Sequence, residues 1–156
     1  MLAPRSRYWC IFALGLCLTV GSLSAQIVQN GSFENNYNLW TASGHQVIAN
    51  NDPAHPPSDG THVVVFNNND AFANASLSQT FTTVANQRYR LAIDVGTVGE
   101  EADQRLQIQL TGNGPGGGPI YSNIVTIAGL YANAFYVPQY ITFVANSTST
   151  TLTLQD

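Results

Sequence analysis

Apolar and polar residues alternate with a period of two through most of the chain. In Arg88-Tyr89-Arg90-Leu91-Ala92-Ile93-Asp94-Val95, the side chains of Tyr89, Leu91, Ile93 and Val95 fall on one face, and those of Arg88, Arg90, Ala92 and Asp94 on the other. This is the pattern of a half-buried strand. Leu106, Ile108 and Leu110 alternate with Gln107, Gln109 and Thr111, and Leu77 and Phe81 with Ser76, Ser78 and Thr80; the runs Tyr140–Val144 and Thr151–Leu154 repeat the motif. His62-Val63-Val64-Val65-Phe66 departs from it: four apolar residues in a row predict a central strand covered on both faces. Turn formers separate the runs at residues 50–53, 56–60, 67–70 and 112–119. Roughly eight or nine short strands punctuated in this way, with no helix after residue 25, predict an all-β, antiparallel β-sandwich.

The one long apolar stretch lies at the start and reads as an export signal. Arg5 and Arg7 give a positive beginning, Tyr8–Gly21 is apolar, and Ser22-Leu23-Ser24-Ala25 offers small residues for cleavage before Gln26. A membrane anchor is the competing reading, but these 14 residues would rise only about 21 Å as a helix, against a hydrocarbon core of about 30 Å. A lipoprotein signal is disfavoured because Leu16 precedes Cys17 where that cleavage needs a small residue. Residues 1–25 are therefore read as a signal peptide and residues 26–156 as one domain, long enough to bury about two thirds of its unfolded surface. Both cysteines, Cys10 and Cys17, fall in the signal, so the domain must be held by its core without disulfides or cysteine ligands.

Charge narrows the partners. Lysine is absent, and residues 26–156 carry three arginines, Arg88, Arg90 and Arg105, against nine carboxylates, a net charge of −6. Nucleic acid and anionic membranes are bound by clustered cations, which this domain lacks. No membrane span is expected once the signal is removed. The glycine-rich stretch Gly112–Pro119 has no lysine and no following helix, so it reads as a hairpin loop rather than a phosphate cradle.

The order and spacing of several segments resemble the choice-of-anchor C type of secreted domain and the wider galactose-binding-like, carbohydrate-binding-module-like jelly rolls. The segments are Ile27-Val28-Gln29-Asn30-Gly31-Ser32-Phe33-Glu34 followed by Trp40, Asp59-Gly60-Thr61-His62, Ser78–Thr83 and Gln87–Gly96. The resemblance spans most of residues 26–155 and implies a jelly-roll sandwich. Members of that group end in a further strand of the kind Leu-Asp-Asp-Val beside the first strand, and many carry a sorting tail, which points to a bacterial surface protein. The sequence reaches Asp156 before such a strand; the expectation is a truncated domain whose first strand is left as an open edge.

Little supports catalysis. His45, His55 and His62 lack metal-ligand spacing, and no nucleophile elbow occurs. Asp94, Glu100, Glu101 and Asp103 lie close in sequence but read as a strand end and a solvated loop rather than a glycosidase pair. The domain is expected not to be an enzyme. Binding sugar asks for less: an aromatic face for the apolar side of a pyranose and neutral or charged groups for its hydroxyls. The candidates are Tyr37, Trp40, Phe72, Tyr131, Phe135 and Tyr136. Trp40 is expected to pack in the core, as in the families resembled, and the segment Tyr131–Tyr136 is expected to connect two strands. No cofactor is required by these residues. A structural calcium ion is what the resemblance implies, with Glu34 carried over as its ligand; the alternative, preferred here, is that Glu34 caps a turn. Asn30, Asn74 and Asn146 match the N-glycosylation acceptor pattern, which is cheap in so Asn- and Ser-rich a chain.

The sequence thus predicts a secreted, non-catalytic module that binds polysaccharide or a cell-surface glycan, or serves as a matrix component. A structural or adhesive exoprotein domain that binds another protein is the alternative.

Overall fold

The computed structural model describes residues 27–66, 75–97, 103–128 and 135–156, with Phe135 described through its backbone alone. The segment read as a signal, Phe72, Asn74, the turn expected at 67–70, Glu100, Glu101, Tyr131 and the Phe135 side chain lie outside the described residues.

Nine strands form: β1 (Thr41–Ser43), β2 (Gln46–Asn50), β3 (His62–Phe66), β4 (Ser76–Thr82), β5 (Arg88–Thr97), β6 (Gln104–Asn113), β7 (Gly118–Ile127), β8 (Phe135–Val144) and β9 (Ser149–Gln155). A five-stranded sheet has the order β1-β4-β9-β6-β7, and two-stranded sheets pair β2 with β3 and β5 with β8. Every pairing is antiparallel, and no helix occurs among the described residues. The chain crosses between sheets after β1, β3, β4, β5, β7 and β8, and only β6 and β7 form a hairpin within the large sheet. Alternation explains why these sheets must pack together, since each carries an apolar face that is stable only against another layer. Leu77, Ile108, Leu110, Val125, Ile127, Leu152 and Leu154 from the large sheet meet Leu91, Val95, Ile141 and Phe143 from β5 and β8, and Val64 and Phe66 of β3 pack onto the same cluster. The architecture is the antiparallel sandwich that the alternation predicts.

The face assignments hold where alternation was clean. Leu91 and Val95 are buried with Tyr89 and Ile93 half-buried, while Arg88, Arg90, Ala92 and Asp94 are exposed. The glycine-rich stretch is the β6–β7 hairpin loop, with Gly114 and Gly116 at positive φ and the Gly117 N–H donating to the Gly114 carbonyl.

Two expectations are corrected. β3 is not a central strand: its five residues are all half-buried, and among the described residues it pairs only with β2. A run of valines has high strand propensity on any half-covered surface, so the run encodes a strand without saying how many neighbours it has. Nor is residues 131–136 simply a connection, because β8 begins at Phe135 and Tyr136 is a ladder residue opposite Gly96.

Residues 27–40 form no regular strand, yet their backbone is bound. The buried Gln79 of β4 accepts from the Gln29 N–H through its amide oxygen and donates to the Gln29 carbonyl through its amide nitrogen, both at 2.8 Å. One side-chain amide replaces two ladder hydrogen bonds, which satisfies an otherwise costly buried polar group at the same time.

Candidate functional site

The segment carrying the Asn30-Gly31-Ser32-Phe33-Glu34 motif is a tight knot. Asn30, Phe33, Asn36 and Leu39 all have positive φ, a conformation non-glycine residues adopt only when other contacts compel it. Asn30 supplies many of those contacts: its side-chain amide nitrogen donates to the carbonyls of Asn36 and Asn38, and its amide oxygen accepts from the Asn35 N–H. Trp40, 9% exposed, donates from Nε1 to the Asn30 carbonyl at 3.1 Å and lies 5.2 Å from the Phe33 ring. Trp40 is therefore a core residue. The Tyr37 ring likewise packs against the core, and its hydroxyl is buried without a partner, a desolvation that pushes its pKa up. Trp40 is thus buried, whereas Tyr37 is half-buried against the core.

Glu34 joins this knot to the start of β3. Its Oε1 accepts from the backbone N–H groups of Thr61 (2.7 Å) and His62 (3.0 Å), and its Oε2 from the Thr61 hydroxyl at 2.6 Å and from His62 Nδ1 at 3.1 Å. Gly60 precedes them at φ +67°, and a Cβ there would collide with the Glu34 carboxylate, so the approach requires glycine. Calcium would need six to eight oxygen ligands, whereas both Glu34 oxygens are directed at hydrogen-bond donors, and the described residues contain no group of three or more His, Cys, Asp or Glu that could hold a metal. The donor set does not fit the ion; it fits a turn clamp. A second His–carboxylate pair, His55 Nδ1 to Asp52 Oδ2 at 2.8 Å, closes the turn ahead of it.

The Thr61 hydroxyl, then the Thr61 N–H, and then the two His62 donors hold the Glu34 pKa down at about 2 from its ordinary 4.5. A carboxylate whose folded pKa lies below its unfolded one contributes stability that is complete above the unfolded value and is lost as pH falls through the folded one. Glu34→Gln is expected to lower the urea midpoint at neutral pH, and the gap to the parent protein to close as pH drops from 4.5 toward 2. A gap independent of pH would remove the carboxylate from the clamp.

The outer face of the β5–β8 sheet is different in character. Antiparallel register sets Arg88 opposite Val144, Arg90 opposite Thr142, Ala92 opposite Tyr140, Asp94 opposite Pro138 and Gly96 opposite Tyr136. Because Ile141 and Phe143 point into the core, Tyr136, Pro138, Tyr140, Thr142 and Val144 take the outward phase. Tyr140 is 62% exposed, and the Arg90 guanidinium lies over its ring at 4.4 Å from the centroid. This is the diagonal contact expected on a twisted pair, since Arg90 sits two residues before the Tyr140 partner. Ala92 and Gly96 leave low ground beside the two tyrosines. At one end Tyr136 is fixed by its hydroxyl, which donates to the Pro56 carbonyl at 2.8 Å; burial, and then the nearby Asp94 charge, push its pKa up.

Of the sugar-stacking candidates, then, Tyr136 alone is described on this face; Trp40 belongs to the core, Tyr37 is half-buried against it, and Phe72, Tyr131 and the Phe135 ring lie outside the described residues. Sequence reasoning missed Tyr140 and Arg90. Their signal was present as an aromatic in one phase of the run Tyr140–Val144, but Phe143 offered the other phase equally. Neither a protein-family model nor a curated protein matches the chain.

Proposed function

We propose that this is a secreted, non-catalytic binding module of the galactose-binding-like, jelly-roll kind, which recognises an extracellular polysaccharide or cell-surface glycan through the outer β5–β8 face. Export rests on the signal features of residues 1–25. The observation that carries the glycan reading is an exposed tyrosine, Tyr140, held in place by a stacked arginine beside small residues. An ordered aromatic can meet the C–H face of a pyranose at little conformational cost, while Arg90, Asp94 and Thr142 are within the same face to bond hydroxyls. The sandwich supplies rigidity, because the inward residues of both strands are core.

The second reading, an adhesive module that binds protein, has one observation in its favour. β7 lies at the end of the large sheet and runs ten residues without a charged side chain, with Ile124 55% exposed, and neutral edges of this length favour strand pairing. The readings separate experimentally. Affinity electrophoresis against a panel of soluble polysaccharides is expected to show retention that Tyr140→Ala reduces by about tenfold, the worth of one stacking contact. Passage of the parent protein through every polymer unretarded would sink the glycan reading. The substitution is on an exposed position, so an unchanged urea midpoint should accompany the loss.

A further inference from the structure

We infer that the glycan taken by the outer β5–β8 face is a carboxylated one, a uronate polysaccharide; this rests on the glycan reading proposed for that face. The domain is strongly acidic overall, yet two of its three arginines, Arg88 and Arg90, lie at one end of this face, both exposed. Among the described residues, neither forms an ion pair with a carboxylate. The Arg90 guanidinium rests over the Tyr140 ring, a contact that does not neutralise its charge. Unpaired arginines in an acidic protein lie in a field that favours pairing with carboxylates of the same chain, and here the sheet holds them away from it: across the ladder Arg88 and Arg90 face Val144 and Thr142, and Ala92 separates Arg90 from Asp94.

A ligand that satisfies both features must offer an apolar ring face to Tyr140 and an anion to the arginines. A uronic acid does so within one residue, since its carboxylate projects from the ring and matches the guanidinium fork in a two-point hydrogen bond. Asp94 then sets direction. It stands four residues along β5 from Arg90, about 13 Å away in an extended strand, on the side of Pro138, so an acidic group is favoured at the Arg88–Arg90 end and a hydroxyl at the Asp94 end. Nucleic acid shares the anion but not the demand for so few cations, because two arginines cannot displace the counterions of a phosphate chain.

The test uses polygalacturonate, the same polymer with its carboxyls methyl-esterified, and neutral galactan, each as the soluble phase in affinity electrophoresis of the full domain. Retention by polygalacturonate that is lost on esterification and weakened by salt is the expected result. The double variant Arg88→Gln/Arg90→Gln should weaken it by about tenfold to a hundredfold, whereas Arg105→Gln, which changes net charge on β6 in the other sheet, should leave it unchanged. Equal retention by the acid and the ester, or by galactan, overturns the carboxylate assignment and leaves the glycan platform standing. Equal losses in the double variant and in Arg105→Gln assign the effect to overall charge and overturn it as well. Retention by no polymer overturns both this inference and the glycan reading beneath it.

Discussion

Leu152→Ala is expected to cost about 2–5 kcal/mol of folding stability. Leu152 is 1% exposed on β9, the middle strand of the large sheet, opposite Gln79 on one side and Leu110 on the other. Truncation there leaves a void between two strands that are themselves fixed by ladder hydrogen bonds, so the site cannot collapse to fill it. Set against a typical total of about 5–15 kcal/mol, the loss should move the urea midpoint far down with little change in slope. The same truncation at Val144, an exposed position on the outer β5–β8 face, serves as the comparison and should stay within about 0.5 kcal/mol. A small effect at Leu152 would mean that β9 does not hold the centre of the sheet.

Trp40→Ala should be comparably severe, about 3–5 kcal/mol, and its meaning is functional as much as structural. The ring fills space between the Phe33 knot and the core, and its Nε1–H satisfies the Asn30 carbonyl. Removing it therefore opens a cavity and orphans an acceptor in a segment already held at four positive-φ residues. Trp40→Phe keeps most of the volume and should recover the greater part of the loss. Glycan retention per folded molecule should be unaffected in either variant. If Trp40→Ala instead left the urea midpoint unchanged and abolished retention, the tryptophan would be a ligand contact and the core assignment would be wrong.

The candidate site was only partly legible before folding. Tyr136 was visible as one of several aromatics near a strand boundary. The importance of Tyr140 and Arg90 was not, because they are 50 residues apart in the chain and become neighbours only through the β5–β8 register. Glu34 was legible as a turn cap, but its four donors come from Thr61 and His62, 27 and 28 residues away, and no local pattern announces such a pairing. Gln79 shares the apolar phase of Leu77 and Phe81, and alternation does not say that Gln29 supplies both of its hydrogen bonds.

What the amino-acid order decided alone is the strand content and the layer type: a side-chain period of two forces extended chain, and an apolar face on each strand forces a second layer to cover it. It also decided the inward face of β5, where only one phase is apolar. Tertiary packing decided the rest. In β8 both phases carry an aromatic, so the strand's face was set by Ile141 and Phe143 fitting the core, which turned Tyr140 outward beneath Arg90. In β3 the valines suit either face, and the number of strand neighbours followed from the global pairing. Period is a local property of the chain, whereas phase and partner are settled by contacts between residues far apart in sequence, which exist only after collapse.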